Sequence, residues 1–474
     1  MRPLLLVLAM TTLTAAAADP ALTIYRADGD ALFAPGSMPL ADGHAIVHEE
    51  RALQLAGGRE TLVIDGLPTL LDTEAVALDL GGSGRVLAQR IVAAGDAGPL
   101  GAHRGERVAV LDASGRSIVE GVLVAIDGGS LVVRTDDGRS SYVREFARVE
   151  FREGSGRPGS TLQVAVDGRA GTAAARLTYP TAGLGWRAAY AGLLSGEGGS
   201  CQLHLSTLAS IANRSGRDWS GARLKLVAGS PNFARSNAYL ARAPMAMKSM
   251  AAEAAPDALP AQDALGDYRS YAVDGSLDLP DGSITQVPLY AGADLPCARS
   301  WVFESGGRWF PSKPMLTPTG GSAGGPVDSR LGFTAAENLP AGTLRISMRD
   351  KDGRSEFVGE SRIADTAKGR EIDISLGQAF ELSATRDATR FEVDRAARQL
   401  DEAFRVTLAN AGDRPRTVTV REHPNQWRNW TLLSSSSKPT RQTPDTLEFD
   451  IEVPANGKAT LDYAVRYSWT AADE

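Results

Sequence analysis

An all-β fold is what this sequence predicts, and three observations carry the prediction. Apolar residues recur at every second position over most of the chain, as in Leu203/Leu205, Leu224/Leu226 and Leu461/Tyr463/Val465/Tyr467, which is the period of strands with one buried face. Asp-Gly pairs recur from 28–29 to 352–353, with Asn456-Gly457 near the end; such pairs suit tight turns between strands. Stretches with helical periodicity are scarce by comparison. The expected architecture is a set of β-sandwich domains, with an immunoglobulin-like C-terminal part and an SH3-like small barrel near the N-terminal side.

Taken in order, residues 1–18 read as an export signal: Arg2, an apolar core from Leu4 to Met10, and Ala16-Ala17-Ala18 before Asp19. No later apolar run is long enough to span a bilayer, so the mature chain is expected in the periplasm without a transmembrane segment. Residues 19–97 read as an N-terminal sandwich-like region of hairpins, with HAIVHEERALQL (44–55) pairing ETLVIDGLP (60–68). Residues 98–155 hold five short apolar runs separated by very short turns, the count and spacing of a small barrel. Residues 156–380 form a larger β region, interrupted at 233–267 by a polar, Ala- and Pro-rich insert. Pro244, Pro256 and Pro260 would break any continuous helix there, so a mobile loop is expected. From 381 to 474, FRVTLAN, RTVTVREHP, TLEFDIEVP and ATLDYAVRYSW alternate as the strands of a closing immunoglobulin-like sandwich.

Charge excludes one class of partner. With 57 Asp+Glu against 50 Lys+Arg and no strongly basic run, the chain lacks the footprint of a nucleic-acid binder. The two cysteines, Cys201 and Cys297, are in an exported chain either one disulfide or two buried thiols. As a disulfide they would contribute about 4–5 kcal/mol in the chain-entropy model.

The stretch from Leu177 to Asn232 organises the middle of the chain. It carries Trp186-Arg187-x-x-Tyr190 after a Gly-containing turn, then Asn213-x-x-Gly216-x-Asp218-Trp219-Ser220, Leu224-x-Leu226 and Gly229-x-Pro231. Further on come Leu339-Pro340-Ala341-Gly342, Phe357-x-Gly359-Glu360 and Leu376-Gly377. On these motifs the sequence resembles the domain of unknown function 4139 family, the C-terminal domain of proteins related to the bacterial mucoidy inhibitor. The resemblance covers roughly the last two-thirds of the chain and implies a β architecture with a link to surface polysaccharide. It assigns Trp186, Tyr190, Gly216, Asp218, Trp219, Pro231, Gly359 and Gly377 structural roles. Relatives of this group often carry a coiled coil between their β parts, and no heptad stretch occurs here.

Motifs that would carry chemistry fail on context. Gly320-x-Ser322-x-Gly324 matches a nucleophile elbow but lies in a Gly/Ser tract without the strand and helix that an elbow needs. Gly183-x-Gly185 lacks a surrounding βαβ unit, and Asp350-Lys351-Asp352-Gly353 lacks the remaining positions of a calcium loop, so a hairpin turn accounts for it. His44, His48, His103, His204 and His423 form no helical metal pair; at strand spacing His44 and His48 lie about 13 Å apart. No cofactor motif is legible. Met245, Met247 and Met250 in the insert offer soft thioethers of the kind that bind Cu(I). Trp427 and Trp430, in an expected loop, are candidates for contact with a partner.

The reading that follows is an exported, non-enzymatic, β-rich protein that binds an envelope protein or a glycan. One alternative is a hydrolase of envelope polysaccharide whose carboxylates are brought together by the fold, with Asp218 and Glu360 the first to inspect. The other is a Cu(I)-binding loop.

Overall fold

The computed structural model describes residues 19–36, 40–93, 100, 107–127, 129–151, 159–196, 199–229, 262–265, 268–318 and 323–473. The expected leader, Met245, Met247, Met250, Pro231, His103 and Gly320 to Ser322 lie outside the described residues. Among the described residues the fold is all-β, with one α-helix of four residues at Asp30–Phe33 and a 3-10 turn at Ala471–Asp473. No helix among the described residues is long and apolar enough to cross a membrane. The chain divides into two compact units, Met1–Arg187 with Leu208–Tyr290, and Ala188–Thr207 with Ala291–Glu474.

In the first unit, Ala45–Leu55 and Gly58–Leu67 do not pair with each other, contrary to the hairpin expected from their alternation. Ala45–Leu55 runs antiparallel to Gly171–Thr181 over its whole length, and Gly58–Leu67 runs antiparallel to Ser160–Gly168. Both ribbons pass through one corner, where Gly57 and Gly58 sit at φ +97° and +77° and a Cβ on Gly57 would lie 3.1 Å from the Ala170 nitrogen. A glycine bend lets a two-stranded ribbon leave one sheet and enter another. Ala21–Tyr25 lies between Ala45–Leu55, antiparallel, and Trp219–Ala228, parallel. Residues 19–97 therefore share their sheets with strands from 160–228 and do not make a sandwich of their own.

Residues 107–151 supply all five strands of the expected small barrel in one antiparallel sheet, with Arg148–Phe151 returning beside Arg107–Leu111. The sheet is not closed: its edge strands, Arg148–Phe151 and Ser140–Val143, are four residues each and do not pair with each other. Phe146, Val149 and Phe151 pack instead against a core of Val108, Val110, Leu123, Leu131, Val133 and Val143. In the predicted insert, Gln262–Leu265 is a strand paired with Tyr268–Ala272.

The second unit is built on one continuous sheet that folds over itself. The strand Ile284–Ser305, which belongs to this unit from Ala291 on, pairs through Cys297–Val302 on one side with Ala323–Thr334 and, through Trp301–Ser305, on the other with Arg416–Glu422. One arm continues through Glu371–Asp394, Gln399–Asn410, Gly457–Ser468 and Trp430–Ser435; the other continues through Thr446–Val453 and Arg441–Thr443. Apolar rows from the two arms share one core, among them Phe404, Val406, Val418, Val420, Phe449, Tyr463 and Trp427. The closing sandwich expected over 381–474 thus recruits strands from before residue 381. Cys201 and Cys297 are joined by a disulfide with their Cα atoms 4.9 Å apart.

Candidate functional site

Strand alternation brings polar groups to one end of this second core. In Gln399–Asn410 the buried series is Leu400, Glu402, Phe404, Val406 and Leu408; in Arg416–Glu422 it is Val418, Val420 and Glu422. Glu371–Asp394 adds Leu382, Ala384 and then Arg386, while Gly457–Ser468 adds Tyr463 and Tyr467. Glu402 interrupts its apolar series, Arg386 and Glu422 follow theirs, and Tyr463 and Tyr467 flank Val465; these polar groups line a cavity of about 320 Å³ together with Ser305, Gly307, Trp309, His423 and Asn425.

Arg386 links the walls. Its Nε donates to Glu422 Oε2 (3.0 Å), its Nη2 donates to the Tyr463 hydroxyl (3.2 Å), and its guanidinium lies 3.5 Å from the Phe404 ring centroid. Burial works against the arginine's charge, but Tyr463 and Glu422 outweigh it and raise its pKa. Glu422 Oε2 also accepts from Ser305 Oγ (3.2 Å), whereas Oε1 is buried and has no hydrogen-bond partner among the described residues. A buried carboxylate oxygen in that condition forgoes about 1–3 kcal/mol unless a ligand or water donates to it.

Burial pushes the Glu402 carboxyl above its usual range, against bonds from Gln426 and Tyr467 and the charge of Arg386. His423, in the cavity lining, is fixed through Nδ1 to the Asp445 carbonyl (2.7 Å) and through Nε2 to Glu304 (2.9 Å). Burial opposes ionisation of Glu304, but His423, Arg308 and Arg421 outweigh it and hold that carboxyl low. At the rim the Trp309 indole is 49 % exposed. It sits against Gly307, where a Cβ would come within 2.5 Å of its ring. The arrangement offers a polar ligand acceptors, a protonatable carboxyl and one aromatic face.

The residues singled out from sequence fall elsewhere. Trp427 is 1 % exposed, packed in the core with Arg428 stacked at 4.5 Å, so it presents no contact surface. Trp430 is half-buried against the same core and donates its Nε1 hydrogen to the Pro444 carbonyl (2.7 Å). Residues 423–429 are a loop between Arg416–Glu422 and Trp430–Ser435, as expected, but the loop packs on the core and the apolar area of both tryptophans is used there. Asp218 accepts from the Asp281 backbone (2.7 Å) and Glu360 pairs with Arg345 (3.2 Å). The two carboxylates are exposed and belong to different units, each with a structural task. Asp350 accepts from the nitrogens of Asp352 and Arg354, forming a hairpin turn. Among the described residues no group of three or more His, Cys, Asp or Glu is placed to hold a metal ion.

The motif residues build turns and cores. Trp186 is fully buried and donates to the Val227 carbonyl (3.0 Å), and the Tyr190 hydroxyl donates to the Pro340 carbonyl (2.5 Å). Asn213 donates to the Arg217 and Leu279 carbonyls and accepts from Ser215. This turn carries Gly216 at φ +77°, and the Trp219 indole donates to Ser215 Oγ. A Cβ on Gly359 would strike the Leu376 carbonyl at 2.6 Å, and Gly377 takes φ +114°. The family model described as domain of unknown function (DUF4139) matches residues 175–471, a span that contains all of these motif residues. The chain belongs to the DUF4139 family. No curated protein matches it. Every residue that lines the Arg386 cavity lies within the DUF4139 match.

Sequence reading missed Glu402, Glu422, Arg386 and Trp309. The signal was present for the first three: a charged residue standing in the inward series of a strand, where burial is costly unless it is paired. Trp309 had only the preceding Gly306-Gly307 to mark it.

Proposed function

We propose that this chain is an exported protein of the cell envelope that acts by binding, and that the Arg386 cavity holds a hydroxyl-rich ligand such as the end of a glycan chain. One observation carries the reading: Glu422 Oε1 is buried with no donor at hydrogen-bond distance among the described residues, in the lining of a cavity that also includes the exposed Trp309. A sugar hydroxyl supplies the donor that this oxygen lacks, Glu402 and Asn425 can add further hydrogen bonds, and the indole face stacks on the apolar face of a sugar ring. The leader-like residues 1–18 support export. The test is calorimetric titration of the mature chain with defined fragments of envelope polysaccharides, beside Trp309→Ala and Glu422→Gln. Saturable binding weakened by both variants is expected. Equal heats for all three proteins would remove the cavity from the function.

A second reading, hydrolysis of the bound glycan, rests on the raised pKa of Glu402 near a second carboxylate held by Arg386, the pattern in which one carboxyl acts as acid. Appearance of new reducing ends, abolished by Glu402→Gln, would replace binding with catalysis.

A further inference from the structure

A second cavity of about 340 Å³ in the same unit has different chemistry: Arg299, Arg416, Trp301, Ser329 and Gln378 line it together with the apolar Met348, Val358, Leu376 and Phe380. Trp301 pairs with Ser329 on one neighbouring strand and with Val418 on the other. Two residues earlier along each strand, the parallel register sets Arg299 beside Arg416. Both guanidiniums lie against the same indole, 5.7 and 4.5 Å from its centroid. No carboxylate among the described residues pairs with either arginine. Glu381 also lines the cavity, but its Oε2 is turned to Gly412, 2.3 Å from where a Cβ there would sit. Two donors are buried without partners: Arg299 Nε, and the hydroxyl of Ser329, whose residue is 8 % exposed.

Adjacent like charges on neighbouring strands are destabilising, and the effect is visible at Arg299, whose pKa is lowered by burial and then by Arg416. Natural cores keep such a pair where something neutralises it. Two guanidiniums and a hydroxyl converging without acceptors match the oxygens of an anion, since arginine forks bind carboxylate and phosphate with geometric as well as electrostatic preference. Met348, Val358 and Leu376 add apolar lining, and Phe380, which also lines the cavity, is fully exposed.

We propose that this cavity binds an organic anion, a carboxylate or a phosphate monoester carried on an apolar group, with Arg299, Arg416 and Ser329 on the anion and Met348, Leu376 and Phe380 on the apolar part.

The experiment is calorimetric titration of the full chain with sub-micellar octanoate, octyl phosphate, neutral octyl glucoside and inorganic phosphate at constant ionic strength. At least one of the octyl anions is expected to bind at a single site, and which one does so identifies the headgroup. Octyl glucoside should give no saturable heat. Arg416→Gln should weaken binding by about 10- to 100-fold, the range for one charge-assisted contact, and Ser329→Ala by less. Because Arg416→Gln removes a repulsion, its unliganded melting temperature should match or exceed that of the parent, which separates lost binding from lost folding. Absence of binding by both octyl anions, or octyl glucoside binding as tightly as they do, would overturn the proposal. Inorganic phosphate binding as tightly as octyl phosphate would overturn the apolar half of it. Neither result bears on the Arg386 cavity, which shares no residue with this one.

Discussion

Each unit buries a glutamate with arginine and tyrosine, and the two clusters differ in one respect. In the first unit, Glu49 Oε1 meets the Tyr179 hydroxyl (2.9 Å) and Arg217 (2.6 Å), while Oε2 takes Nε and Nη2 of Arg51 (2.9 and 2.7 Å). Both oxygens are saturated, so although burial opposes its ionisation, Arg217 and Arg51 outweigh that and hold the Glu49 carboxyl low. In the second unit, Glu422 has its arginine and a tyrosine close by but leaves Oε1 unpaired beside a cavity. A saturated cluster is complete as structure. An incomplete one next to open space retains binding capacity, and buried residue types alone would not separate the two.

Four measurements break or sharpen that contrast. Reducing the Cys201–Cys297 disulfide, whose loop also runs through Leu208–Tyr290 of the first unit, should destabilise the protein by up to about 4–5 kcal/mol in the chain-entropy model, read as a shift of its denaturant transitions. Glu49→Gln should cost the first unit about 3 kcal/mol, since it strands Arg217 and Arg51 against a neutral amide. Glu422→Gln should cost the second unit only about 1–2 kcal/mol, because one of its oxygens makes no bond to lose. Equal losses at Glu49 and Glu422 in urea melts would erase the distinction between the clusters.

The third measurement is pH dependence, where the two units should respond with opposite sign. Glu49 has a lowered pKa, so its contribution is present above the ordinary glutamate value of 4.5 and is lost as pH falls through its folded pKa. Glu402 has a raised pKa, so its contribution is full below 4.5 and is lost as pH rises through its folded pKa. Comparing the parent with Glu402→Gln between pH 4 and 7, the expected outcome is a difference in second-unit stability that changes with pH, against no change in the first unit. The smallest effect is expected from Gly307→Ala. Its Cβ must displace the Trp309 indole, shifting tryptophan emission and weakening any cavity ligand while moving stability by less than about 1 kcal/mol, since Gly307 is only partly buried.

Particular elements show how far the sequence was legible. Asp137-Gly138 and Asp352-Gly353 close hairpins with glycine at φ +80°, as such pairs predict. Asp65-Gly66 lies within the strand Gly58–Leu67, where Gly66 keeps φ +67° at a shift in register against Ser160–Gly168, and Asp28-Gly29 leads into the short helix; there pairing to a distant strand and burial of Leu32 and Phe33 took the place of a hairpin turn. Trp427 was misplaced because a loop position says nothing of what covers it. Glu402 and Glu422 were legible as charged interruptions of inward series, though not as neighbours.

What the sequence determined by itself is the all-β class, the strand positions and the family signature, because alternation and turn chemistry act over a few residues and need no distant partner. Which strands pair, that 19–97 joins sheets with 160–228, and that Arg386, Glu402 and Glu422 meet at one cavity were decided only by the tertiary structure. Side-chain period states which face is buried; the partner is chosen by register and by the shared core across tens to hundreds of residues, where local pattern carries no information.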